Sequence, residues 1–181
     1  MPSPSPADIL AFWRQAGPQK WFAKDEDFDA EIRTRFLASH EAAAAGELAD
    51  WEATPDGVYA LLLLLDQFPR NLFRGSPRAF ATDAMALAIA GRAIARGFDG
   101  AFDLPERRFI YMPFMHAEDL AHQERCLALC QASDDAEGVK YAVIHRDVIR
   151  DFGRFPHRNP VLGRETTPEE QAFLDEGGFS G

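Results

Sequence analysis

Two stretches of the chain write nearly the same chemistry, "LDQFPRNLFRG" over residues 65–75 and "FGRFPHRN" over 152–159. Each joins Phe-Pro to Arg and Asn at the end of an apolar run. Asp66, Gln67, Arg70 and Arg74 crowd the first, and Arg154, His157, Arg158 and Arg164 crowd the second. Proline lacks a backbone donor and pushes its predecessor out of the helical region, so Phe68 and Phe155 are predicted to end helices. Gly153 suits a left-handed helix end, and Asn71 and Asn159 suit turns in which the side chain bonds its own backbone. Those roles leave the arginines and the histidine to be explained. A guanidinium presents a planar fork of donors that fits a carboxylate or a phosphate. If the two corners lie side by side, they make one Arg-rich, His-containing depression for an anion. If they lie apart, the arginines cap helix carbonyls and pair with local acids such as Asp66, Asp147 and Asp151.

A third polar cluster, "PFMHAEDLAHQE" over residues 113–124, supplies His116, Glu118, Asp119, His122 and Glu124. Glu118 and His122 stand one helical turn apart and have the residue types of a shared metal ion, but no second Glu-x-x-His, no His-Glu-x-x-His and no Cys-x-x-Cys accompanies them, so no metal is expected. Glu124 falls between Leu120 and Leu127 on an apolar stripe and is expected to find an arginine from one of the corners. His145 shares a helical face with Ala142, Ile149 and Phe152, where a hydrogen-bonded core role competes with acid–base work. No nucleophile elbow, Ser-x-x-Lys or Gly-rich phosphate loop is present. Cys126 and Cys130, four apart on one helix face, are expected to be small buried hydrophobes rather than a disulfide.

The elements that must position these groups are helices. Ser5-Pro6, Thr54-Pro55, Ser76-Pro77 and Thr167-Pro168 each pair an N-cap with a proline at the first helical position, and Thr167 with Glu170 makes a capping box. Apolar residues recur at helical spacing, as in Phe28, Ile32 and Phe36, while no segment alternates with period two. A short helix is expected from Leu104-Pro105 to about Met112, broken by Pro113, and the all-apolar Val58–Leu65 run is expected to be a central helix. The fold class is all-α: a single domain, residues 1–181, of about seven or eight helices in mostly antiparallel array, with residues 176–181 fraying.

The chain has 181 residues, a net charge of -10 and 46% hydrophobic residues. That is enough to bury a core without disulfides, and the negative balance argues against nucleic acid, whose phosphates need neutralising cations. All of the 19 basic residues except Lys20, Lys24 and Lys140 are Arg, which favours specific forked contacts over a diffuse basic surface. The segment "MPSPSPADILAFWRQ" has no leader pattern and no apolar run reaches the ~20 residues of a membrane span, so a cytoplasmic protein without membrane contacts is expected.

Five stretches resemble a bacterial family catalogued as domain of unknown function 924: "FW" with "WFAKDEDFDAEIRTRF", "LLLLDQFPRNLFRGSPRAFATDAMAL", "RRFIYMPFMHAEDLAHQE" and "FGRFPHRNPVLGRETTPEEQAFL". The resemblance implies a helical array similar to tetratricopeptide repeats and assigns no activity. It places recurrent polar positions at Asp66, Gln67, Arg70, Asn71, Arg74, His116, Glu118, Gln123, His145, Arg154, His157, Arg158 and Asn159. Ala117 departs from it, since similar sequences more often carry Ser there. These residues are the candidate ligand-binding set, with catalytic roles unassigned and no cofactor expected. The leading expectation is a binding module for an acidic peptide or a small anionic molecule. The alternative is a metal-independent hydrolase with His145 or His116 as base, Glu118 orienting it, and Arg70 or Arg158 steadying developing negative charge. A purely structural role is the third possibility. Oligomeric state is not legible.

Overall fold

The computed structural model describes residues 4–180. Residues 1–3, which open the segment read as leaderless, and Gly181, the last residue of the expected fraying end, lie outside the described residues. The helices are α1 (Pro6–Ala16), α2 (Pro18–Trp21), α3 (Glu26–Ala44), α4 (Pro55–Leu62), α5 (Phe68–Leu72), α6 (Asp83–Ala95), α7 (Arg108–Met115), α8 (Leu120–Ala132), α9 (Ala136–Phe152), α10 (Asn159–Leu162) and α11 (Pro168–Asp175). Short 3-10 turns link several of them, and no strand occurs among the described residues. None of these helices is long and apolar enough to cross a membrane.

The N-caps act as their residue types dictate. Ser5, Thr54 and Thr167 accept from the backbone N–H of Asp8, Gly57 and Glu170, and the Ser5–Asp8 and Thr167–Glu170 boxes are reciprocal. Ser76 caps only a 3-10 turn, Pro77–Phe80, and α6 begins later at Asp83. The delay has a cause, because Thr82 turns its hydroxyl to the Leu65 carbonyl and ties the turn to the core.

α4 is central, as its composition requires. Val58 to Leu65 are all buried, and α4 packs against α1, α6 and α7. Around it Trp13 stacks on Trp21 at 5.7 Å and meets Phe109 edge-on at 5.4 Å, with Phe12, Phe28, Phe36 and Phe68 completing an aromatic core. Each such side chain contributes about 1.5–3 kcal/mol of burial.

Two proline expectations are corrected. Phe68 does not end a helix: α4 runs through a π-helical segment, Leu63–Gln67, directly into α5. The Phe68 N–H reaches back five residues to the Leu63 carbonyl, and this wider turn lets Pro69 sit at the start of α5, where a missing N–H is harmless. Asn71 therefore lies within a helix and not in a left-handed turn. Similarly, Leu104-Pro105 starts no helix; α7 begins at Arg108 and carries Pro113 inside it. All eight residues of α7 are buried, so packing outweighs the one ladder bond that proline removes. The second corner is a true stop, with Gly153 left-handed at φ 70 and its N–H on the Ile149 carbonyl at 2.8 Å.

Candidate functional site

The π-helical segment carries Asp66 and Gln67, and the two proline corners meet beside it. Arg70 makes a paired contact with Asp83, Nη1 to Oδ1 and Nη2 to Oδ2, each at 3.0 Å. Arg158 Nη1 lies 3.8 Å from the same carboxylate and donates to the His116 carbonyl at 3.1 Å. Both guanidiniums also lie over the ring of Phe80, Arg70 at 5.7 Å and Arg158 at 4.6 Å, and Arg158 lies over Phe155 at 4.4 Å. Cations over aromatic faces are favoured most when desolvated, and the Arg158 side chain is only 8% exposed.

Asp66 is the most enclosed charge, with 1% of its side chain exposed. His116 Nδ1 lies 2.7 Å from its Oδ1, Gln67 donates to its other oxygen, and Arg70 Nη1 stands at 3.5 Å. Burial works against the Asp66 charge, but the His116 and Arg70 donors outweigh it and hold the carboxyl down at about 2. A carboxylate can only accept, so His116 carries its proton on Nδ1 and offers Nε2, which has no hydrogen-bond partner among the described residues. Burial, and then the Arg70 charge, push His116 below its ordinary value. His145 is arranged likewise: Nδ1 donates to the Tyr141 carbonyl at 2.8 Å, and its ring stands 6.4 Å from that of His116. Burial, then His116, lower His145 to about 3. His157 falls to about 4 through burial and the Arg158 charge. Three imidazoles whose protonated forms are disfavoured by burial thus border two guanidiniums. Burial and Arg70 pull even Arg158 down to about 10, while burial and Asp66 push Asp83 upward against Arg70.

The candidate residues divide. Asp66, Gln67, Arg70, His116, His145, His157 and Arg158 converge at the joined corners. Glu118 borders them as a fastener: it accepts the Phe155 N–H at 2.8 Å and pairs with Arg164 at 2.6 Å. It is not the acid that orients a histidine, a role the geometry gives to Asp66. Asn71 and Arg74 turn away to Asp29, where they line an open cleft of about 390 Å³ with Arg33 and Thr34. Gln123 is buried between α7 and α8, donating to the Met115 and Ala117 carbonyls at 2.6 and 2.7 Å. Arg154 and Asn159 hold Glu170 and so anchor α11. Glu124 is exposed, because the apolar stripe of α8 passes through Gln123, Cys126 and Leu127 instead; its nearest cation is Arg146 at 3.8 Å, not a corner arginine. Asp147 and Asp151 pair with Arg146 and Arg150. His122 lies by Asp119, so Glu118 and His122 point to different partners. Cys126 and Cys130 are buried free thiols.

Sequence reasoning missed Asp83, Phe80 and Phe179. Asp83 reads as an ordinary first-turn acid of α6, and Phe80 as one more apolar residue. Phe179 belongs to the segment expected to fray, yet its ring is placed 4.3 Å from that of His145.

Fold and site together define an all-helical protein with an Arg/His/Asp cluster at the junction of two proline corners. The chain belongs to the bacterial family described as "Bacterial protein of unknown function (DUF924)", whose model matches residues 9–178. A solved structure of a protein of unknown function from Agrobacterium tumefaciens, ATU0120, is similar to it, with 50% identity, a TM-score of 0.92, and coverage of 95% of this chain and 97% of that one. No curated protein matches the chain significantly.

Proposed function

We propose that the joined corners bind a small anion or the acidic end of a peptide, with Arg158 at the centre. The observation that carries this is the condition of its guanidinium. It is buried and stacked on two rings, its Nε has no partner among the described residues, and its closest carboxylate is 3.8 Å away and already engaged by Arg70. A buried charge with unmade hydrogen bonds is costly, and an acceptor anion would relieve that cost. The histidines beside it bring no competing negative charge, and a bound anion would raise their proton affinity.

Calorimetric titration of the wild type, Arg158→Met and Arg158→Lys with inorganic phosphate and with citrate tests this. Saturable binding that Arg158→Met abolishes, in a variant that still melts cooperatively, supports the site. Binding unchanged by Arg158→Met retires it.

A second reading draws on the 2.7 Å Asp66–His116 contact. A carboxylate that holds one ring nitrogen protonated leaves the other as a base, the arrangement that a metal-independent hydrolase uses. Turnover of an ester or phosphoester panel that disappears in His116→Gln would support it, and the absence of His116-dependent turnover would end it. A repeat-like array of antiparallel neighbours belongs to the same proposal, supported by the succession of packed pairs α6–α7, α7–α8 and α8–α9.

A further inference from the structure

We infer that the rings of His145, Phe155 and His157 form a subsite for an aromatic group beside Arg158, occupied here by the chain's own Phe179, so that the ligand class is an anion carrying an aromatic ring. The inference rests on the anion site proposed above and specifies what it takes.

The geometry is that of a ring held by rings. Phe179 stands 4.3 Å from His145, 5.3 Å from His157 and 6.1 Å from Phe155, centroid to centroid, at interplanar angles of 54°, 83° and 59°. These are tilted and edge-on arrangements of the kind aromatic pairs prefer. Phe155 is the shared wall, since the ring that Phe179 meets also carries the Arg158 guanidinium at 4.4 Å. A ligand whose ring replaced Phe179 would share the Phe155 ring with the Arg158 guanidinium.

Phe179 is also poised to leave. It follows α11 by way of Gly177, left-handed at φ 81, and Gly178. The last hydrogen bonds of this segment are Gly177 N–H to the Leu174 carbonyl and Gly178 N–H to the Phe173 carbonyl; neither Phe179 nor Ser180 bonds another described residue. Its ring contacts alone hold it. Two open clefts of about 390 Å³ lie elsewhere, one at Trp21, Phe102 and Pro105 and one at Asn71 and Arg74. At the joined corners the room beside Phe155 is taken by Phe179 itself.

The test compares inorganic phosphate with phenyl phosphate, and acetate with benzoate, by titration into the full chain and into Phe179→Ala. Wild type should hold the two members of each pair about equally, because the box is filled. Phe179→Ala should favour the aromatic member by roughly tenfold, the scale of a good aromatic contact. The phosphate and carboxylate pairs tell which anionic group the site prefers. Phe179→Leu, which keeps apolar bulk, should shift the preference in the same direction by less and guards against a misfolded alanine variant. Phe22→Ala is the control, as it removes an exposed ring that stacks on Phe109 instead. An unchanged preference in Phe179→Ala, or an equal shift in Phe22→Ala, overturns the aromatic subsite while Arg158-dependent phosphate binding stands. Failure of every protein to bind phosphate overturns both.

Discussion

Arg70 and Arg158, brought from separate corners, hold one carboxylate between them: Asp83 receives both nitrogens of the first at 3.0 Å and faces the second at 3.8 Å. Removing it leaves two cations together in a largely buried place. Asp83→Asn is expected to cost about 3–5 kcal/mol, as breaking a buried pair does. Phosphate should then stabilise Asp83→Asn more than wild type, recovering about 2.7 kcal/mol at a hundredfold excess over its dissociation constant. Thermal melts with and without phosphate check both parts; equal phosphate shifts in the two proteins would contradict the account.

The histidines give the cluster a pH signature. Folded His145 is held at about 3 against an ordinary 6.5, so below pH 6.5 the unfolded chain takes a proton that the folded chain refuses. The stability this neutral ring contributes is fully present above pH 6.5 and is lost as pH falls toward 3, by at most about 1.4 kcal/mol per pH unit. His145→Gln keeps a donor for the Tyr141 carbonyl but cannot titrate. Denaturant unfolding between pH 6.5 and 4 should therefore slope less steeply in His145→Gln by one proton. Asp66, held at about 2, acts in a separate window, its contribution being lost only as pH falls from 3.8 through 2.

The longer helices were legible because their signals are local: an N-cap, a proline and a period of apolar residues lie within one turn of each other. The four- and five-residue α2, α5 and α10 are too short to show a period, so seven or eight helices were expected where eleven are described. The chemistry of the corners was legible too, since Arg, His, Phe and Pro are all in the two echoed stretches. What was not legible is tertiary. Nothing near Asp83 says that two distant arginines will share it, and nothing near Glu124 says that Gln123 rather than it will face the core. Proline misled twice for one reason. Its cost to a helix is fixed, while the π-helical turn before Pro69 and the complete burial around Pro113 are compensations made by surroundings that no local pattern displays.

Gly57 ties the start of α4 to the preceding 3-10 turn. A Cβ there would lie 2.0 Å from the Trp51 carbonyl oxygen, a backbone atom that cannot rotate aside. Gly57→Ala is expected to destabilise the protein by about 1–3 kcal/mol or more, the scale of overpacking, despite alanine's better helix propensity. A denaturation midpoint equal to or above wild type would show that the turn yields more freely than its packing implies.

The central claim is that Arg158 is a buried cation awaiting an anion. Nitrogen-15 NMR of the arginine Nε–H groups during a phosphate titration tests it most directly. A saturable shift of the Arg158 Nε–H, with the Arg154 Nε–H fixed on Glu170 unmoved and the His116 and His145 titrations displaced upward, is the predicted result. An Arg158 signal that stays in place while phosphate reaches high concentration would contradict it.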